Sequence, residues 1–179
     1  MKGSAMQATV LYESMFGATH AIADAVGEGL SDVVPTRVLS IHDERSTEFG
    51  ELLVVGAPTH ARSLPSPSSR HEGAGWPKRP GDHRLLEADA ESPGIREWLD
   101  GLRLPGTAFA AFSTRADANA FLVGTAAKSI DRRLRAAGGR SIAPLEAFLV
   151  DGDGRLVDGE LDRARRWGRT LSTALSPVP

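Results

Sequence analysis

Two hydroxyls flank one glycine in the stretch Ser14-Met15-Phe16-Gly17-Ala18-Thr19, a spacing that suits a small anion. The apolar stretch Ala8–Tyr12 runs into it, and Ala21–Val26, apolar at helical spacing, runs out of it. A turn from strand to helix exposes the helix's first unpaired N–H groups, here those of Gly17, Ala18 and Thr19, at the positive end of its dipole. Ser14 and Thr19 add hydroxyls, and Gly17 permits positive φ and a close approach of backbone to ligand. No lysine stands in the stretch, so it suits one terminal phosphate better than a triphosphate with magnesium. The Gly-Lys-Ser/Thr and G-x-G-x-x-G nucleotide patterns are both absent. The structural alternative is that Thr19 merely caps the helix and Ser14 ends the strand. Position at the first strand–helix turn favours the phosphate.

Other candidates stand at later strand ends. His60 follows Pro58-Thr59 and precedes Ala61, and Arg115 follows Ser113-Thr114. Each could touch a ligand or a substrate anion, or simply face solvent. Arg62, Ser68, Ser69 and Arg70 could bind an anion, but a solvated loop describes them better. The five histidines show no H-x-x-x-H spacing, so no metal is expected. Asp151-Gly152-Asp153-Gly154 lacks the order of a calcium loop and reads as a turn. No G-x-S-x-G elbow is present, and Glu13 lacks the second acidic residue that a phospho-receiver site requires. Arg132-Arg133-Arg135 and Arg163-Arg165-Arg166 read as solvated helix faces.

These residues need a frame. The strand pattern recurs at 7–13, 36–41, 51–56, 107–113 and 147–150. Helical periodicity covers 19–31, 123–137 with Ala126, Ala127, Ile130 and Leu134 inward, and a last helix from Asp158 or Gly159 with Leu161, Ala164, Leu171 and Leu175 inward. A short helix is expected at 92–99, with Ser92 as N-cap and Pro93 as its first residue. Strands apolar throughout, alternating with amphipathic helices, imply a parallel sheet covered on both faces. Residues 61–94 break the rhythm with Pro, Gly, Ser and His and read as a long functional or mobile loop.

The chain's 179 residues, 41% apolar and 25% charged, suit one soluble domain. Residues 1–6 read as an N-terminal extension or expression scar, and 7–176 as a single domain with the loop insert 61–94. There are no cysteines, which removes disulfides, thiolate metal sites and thiol chemistry and makes the cytoplasm the expected location. A net charge of −2 implies no nucleic-acid partner, and no apolar run is long enough for a membrane span.

Val10–Thr19 resembles the phosphate loop of flavodoxins, Val54–His60 the strand leading to the first loop that flanks the flavin, and Phe112–Arg115 the start of the second. The order is right over nearly the whole chain, and its overall look is similar to the actinobacterial-type flavodoxin-domain proteins. The resemblance implies a three-layer, doubly wound flavodoxin-like sandwich with a five-stranded parallel sheet of order 2-1-3-4-5. It implies FMN, with Ser14, Met15, Phe16, Gly17, Ala18 and Thr19 at the phosphate, Pro58, Thr59, His60 and Ala61 on one side of the ring, and Ser113, Thr114 and Arg115 on the other. The implied function is redox electron transfer, as a carrier or as a reductase linked to NAD(P)H or a quinol. Its partner would be a redox protein or a small-molecule electron donor or acceptor, and no dedicated acid or base is required. Phe16 stands where the family has a hydroxyl and Ala18 where Asn is common. The flanking loops hold no aromatic besides His60, although Trp76 could reach over the ring. These departures keep open an alternative, a non-redox binding or regulatory module that retains the fold without the flavin.

Overall fold

A computed structural model of the chain describes residues 6–44, 48–117 and 125–175. The first apolar run forms β1 (Ala8–Tyr12), with every residue buried. It lies between two parallel neighbours, β2 (Thr36–Ser40) and β3 (Leu52–Pro58), with Ala8 opposite both Thr36 and Leu52. Beyond β3 lies β4 (Ala108–Ala116), also parallel. The order is β2-β1-β3-β4-β5, as expected, but the fifth position is shared by two strands. β5 (Arg140–Ser141) pairs with the start of β4, and β6 (Glu146–Val150) with its end. Pro144 lies between them, and without an N–H it cannot continue a ladder.

Both faces of the sheet are covered, which is why the central strands β1 and β3 are almost wholly apolar, while the edge strand β2 is only half-buried. Val10, Val54, Ala110 and Phe112 share one core with helices α1 (Ala18–Ser31) and α5 (Glu160–Leu175). Leu11, Val55, Phe109 and Ala111 share the other with α3 (Ile95–Trp98) and α4 (Ala126–Ala136). The two outer helices of the first layer touch backbone to backbone. A Cβ on Gly168 would overlap the Val26 carbonyl, and one on Gly29 the Arg165 carbonyl. No helix among the described residues is long and apolar enough to cross a membrane.

Three expectations are corrected. In α5 Glu160, Ala164, Trp167, Gly168, Leu171 and Ser172 are buried and Leu175 packs against the same core as expected, while Leu161 is 37% exposed. Glu160 takes the inward place because its carboxylate accepts the Leu149 N–H at 2.6 Å and binds Arg163. Helix α3 is capped by Gly94 rather than Ser92, and the Glu97 carboxylate accepts the Gly94 N–H at 2.9 Å. Finally, the segment 61–94 is not all loop. It contains α2 (Pro67–Ala74) and a 3-10 turn, Trp76–Lys78. Helix α2 has almost no apolar face to read. Its start is instead set by a capping box, in which Ser66 Oγ accepts the Ser69 N–H at 3.2 Å and Ser69 Oγ accepts the Ser66 N–H at 2.9 Å. Of the helix expected over 123–137, residues 123 and 124 lie outside the described residues, and Ala126, Ala127, Ile130 and Leu134 are buried as read.

Candidate functional site

The strand order reverses between β1 and β3, and the loops leaving the carboxyl ends of β1, β3 and β4 gather there. The turn after β1 brings Ser14, Gly17 and Thr19 to one place, though not as two free hydroxyls. Gly17 sits at φ 91°, a left-handed conformation that a side chain would resist, and donates its N–H to Ser14 Oγ at 3.1 Å. Ser14 keeps its own proton to donate. The Thr19 and Thr114 hydroxyls bond each other at 2.7 Å and join the turn to β4. One of that pair donates to the other, so one hydroxyl proton is still available. No side chain caps α1 and its first turn contains no acidic residue. The N–H groups of Ala18, Thr19 and His20 therefore open outward at the positive end of a 14-residue helix.

Beside this turn lies a cavity of about 290 Å³, walled by Phe16 and Thr19, by Thr59 and His60, and by Thr114 and Arg115. Met15, Ala18 and Pro58 also line it, so most of the expected site residues meet in one place. Ser14, Gly17, Ala61 and Ser113 are not among the residues that line it, and Ala61 is exposed. Trp76 forms a further wall. Its ring stacks on Phe16 with centroids 5.9 Å apart and planes at 13°, and lies 6.4 Å from the His60 ring. The Arg84 guanidinium sits 4.8 Å from the Trp76 centroid and 5.4 Å from that of Phe16. Phe16, which replaces a hydroxyl in the resemblance, thus builds an aromatic wall. Trp76, which lines the cavity, keeps its Nε1 buried, and among the described residues that N–H has no partner.

A buried ion network holds Trp76 there. Arg70 is 1% exposed. Its Nε donates to Glu13 Oε1 at 2.8 Å and its Nη2 lies 2.9 Å from Glu97 Oε2. Glu13 Oε2 also accepts the Ile95 N–H at 2.8 Å. The network ties α2 and α3 to the end of β1, and Trp76 follows α2 directly. Arg70 is thus neither a ligand for a free anion nor a solvated loop residue, and the two readings the sequence suggested for it both give way. The usable signal was Glu13, a lone carboxylate ending a fully buried strand, which demands a cation. Of its neighbours, Ser69 belongs to the capping box, while Arg62 and Ser68 are exposed.

His60 faces the cavity with its Nδ1 3.3 Å from Ser69 Oγ. Burial, aided by the charge of Arg70, pushes its pKa from 6.5 down to about 4, so it is neutral at pH 7. The carboxylate of Glu87 borders the turn after β1. Glu87 donates its backbone N–H to Met15 O at 2.9 Å, and its carboxylate lies 3.4 Å from His20 Nδ1. The Asp151 carboxylate is used locally, accepting the N–H groups of Asp153 and Arg155 at 2.9 Å each, as a turn should. Uncapped helix N–H groups, a positive-φ glycine, hydroxyls with protons to give and an aromatic cavity with an orphaned donor together fit a phosphorylated planar ring.

The family model for flavodoxin matches residues 10–168. Among solved structures, the chain is similar to a flavodoxin from the domain Archaea at 21% identity, with TM-score 0.62, covering 94% of this chain and 97% of that one. It is similar to oxidised flavodoxin 1 from Bacillus cereus at 18% identity and TM-score 0.64, covering 95% and 99%. A short-chain flavodoxin associated with a bacterial microcompartment matches at 16% identity and TM-score 0.66, covering 96% and 99%. At such identities the likeness is one of fold. No curated protein matches the sequence.

Proposed function

Because the chain belongs to the flavodoxin family, whose members generally bind FMN and transfer electrons, we propose that its strand-end site holds FMN and works in redox electron transfer. The observation that carries this reading is the uncapped start of α1 beside an aromatic-walled cavity at the point of strand reversal. Ser14, Gly17, Ala18 and Thr19 would hold the phosphate through N–H and hydroxyl donors. Phe16 contributes a ring instead of a hydroxyl, and Met15 is buried against Gly73 of α2. Pro58, Thr59, His60 and Ala61 would border one side of the flavin, and Ser113, Thr114 and Arg115 the other, with Trp76 Nε1 offering a further donor. The flavin, when bound, supplies the electron chemistry, and the chain supplies orientation and polarity. Neutral His60 can bond to a ring heteroatom without adding charge.

The finer reading is a reductase that meets a small substrate rather than a plain carrier. The ordered segment containing α2 and Trp76, which walls the cavity, supports it. On this reading residues 7–176 act as one unit. Glu87 beside the phosphate turn supports the competing reading, a module that keeps the fold without flavin.

Absorption of the purified protein and an FMN titration followed by flavin fluorescence separate the two. Saturable quenching is expected, and Ser14→Ala with Thr19→Ala should weaken it by at least about tenfold to a hundredfold, the value of a single hydrogen bond to a charged group. A colourless protein that leaves FMN fluorescence unchanged would overturn the proposal, and quenching untouched by the double change would move the phosphate elsewhere.

A further inference from the structure

A second cavity, of about 440 Å³, adjoins the first and shares Phe16, Arg84 and Gly154 with it. We propose that it binds a planar aromatic molecule carrying a carboxylate or sulfonate, next to the flavin site. The proposal rests on the FMN reading for its role as a substrate subsite, but not for the binding itself.

Charge selects the anion. Arg79, Arg84 and Arg155 line the cavity, together with Asp82, Asp153 and His83. Asp82 is consumed by Arg84, whose Nε donates at 3.0 Å and Nη2 at 2.6 Å. That bond, first among the causes, holds Asp82 down at about 2, so it stays a carboxylate committed to Arg84. Asp153 pairs with Arg155 only at 3.9 Å, with both side chains largely in water, and such a pair is readily exchanged for a ligand's anion. Arg79 has no carboxylate within salt-bridge distance among the described residues and rests its guanidinium 5.8 Å from the Trp76 ring centroid. Arg79 and Arg155 therefore keep cationic donors that no tight carboxylate pair holds among the described residues.

Shape and polarity select the ring. Phe16 and Pro80 give the cavity apolar walls, and Leu85, 84% exposed, places a large apolar side chain on its rim. A flat aromatic body resting on Phe16 and Leu85 would remove apolar surface from water, while its charged substituent reached Arg79 and Arg155. Bare phosphate would use the arginines and leave the apolar walls wet. Polymeric nucleic acid would need a wider basic surface than a chain of net charge −2 offers here.

Equilibrium dialysis of the full chain, with and without FMN, tests this using a naphthalene sulfonate and the neutral naphthol of the same size. The sulfonate should bind about tenfold tighter than the naphthol, the value of one charge-assisted contact. Arg79→Gln with Arg155→Gln, both exposed positions, should remove that advantage while leaving naphthol binding unchanged. Equal affinity for the two probes, or a sulfonate affinity unaffected by the double change, would overturn the proposal. If FMN does not bind but the sulfonate does, the flavin reading falls and the anion site stands.

Discussion

Arg70 and Arg163 each bind two glutamates and a backbone carbonyl, in opposite surroundings. Arg70, 1% exposed, spans from α2 to Glu13 at the end of β1 and Glu97 on α3. The Arg163 side chain, 34% exposed, binds Glu160 at 2.7 Å on its own helix and Glu146 on β6. It also donates to Ala147 O, while Glu160 takes the Leu149 N–H. Those two backbone groups belong to the outer edge of the sheet, so this network occupies an edge that could otherwise pair with another strand. The Arg70 network holds the wall of the candidate site. The difference between them is access to water. If Arg163 is removed, solvent reaches its partners. If Arg70 is removed, Glu13 is left as a carboxylate in an apolar interior, where desolvation is costly.

The largest effect should therefore come from Arg70→Met. It keeps the side chain's length, removes its charge, and should cost about 3–5 kcal/mol of folding stability by urea denaturation. A loss under about 1 kcal/mol would abolish the distinction between the networks. Adding Glu13→Gln should recover part of the loss, because an amide can still accept the Ile95 N–H without a buried charge. Gly94→Ala comes next. A Cβ there would overlap the Glu13 carboxylate and crowd Arg70 Nη2, so the network must shift, at about 1–3 kcal/mol. The same variant should loosen FMN through the displaced Trp76 wall, which the fluorescence titration would read.

The two regions also differ in how far the sequence disclosed them. The covered parallel sheet followed from apolar runs and helical spacing, because residues such as Val54-Val55 and Ile130 with Leu134 carry their burial in their type, while the strand order came only with the flavodoxin resemblance. The candidate phosphate turn could be proposed from the sequence because glycine and hydroxyl spacing is local. The Arg70 network was not. Its partners lie 57 residues apart for Glu13 and beyond a loop for Glu97, and pairing at that range leaves no periodicity. Helix α2 was hidden for a related reason, since its order comes from a cap and one buried cation instead of an apolar stripe. Arg163 was read as solvent-facing and is in fact half-turned onto Phe148, with its guanidinium 4.3 Å from the ring centroid. Even the split of the last strand traces to one residue, Pro144, whose effect depends on a neighbour that the sequence alone does not position.

A pH profile sharpens the comparison, with a smaller effect. His60 folded titrates near about 4 and unfolded near 6.5, through burial first and the Arg70 charge second. Between those values the unfolded chain holds a proton that the folded chain refuses, so stability rises with pH across that window. Glu97 contributes in the same direction at lower pH. Burial opposes its charge, but the Arg70 bond and the Gly94 N–H outweigh that and hold its pKa below the usual value. Its contribution is present above the unfolded carboxylate pKa and fades as pH falls through the folded one. His60→Gln should flatten stability between about 4 and 6.5 and leave the steeper loss below it. A slope that persists in His60→Gln, or an imidazole that titrates by NMR near 6.5, would contradict the burial assigned to it.

Arg163→Ala should have the smallest effect, about 1 kcal/mol, because its pairs are partly exposed and water can replace them. Salt is the sharper test. At about 1 M NaCl the Debye length shrinks to about 3 Å, so the wild-type advantage over Arg163→Ala should fall substantially, while the advantage over Arg70→Met should hardly change. Part of the Arg163 effect should survive salt, since its guanidinium also packs on Phe148 and satisfies Ala147 O, contacts that screening does not reach. Losing those contacts also frees the β6 edge, so Arg163→Ala should raise the protein's tendency to associate at high concentration, read by light scattering. If both variants lose the same stability and respond alike to salt, exposure is not what separates the two networks.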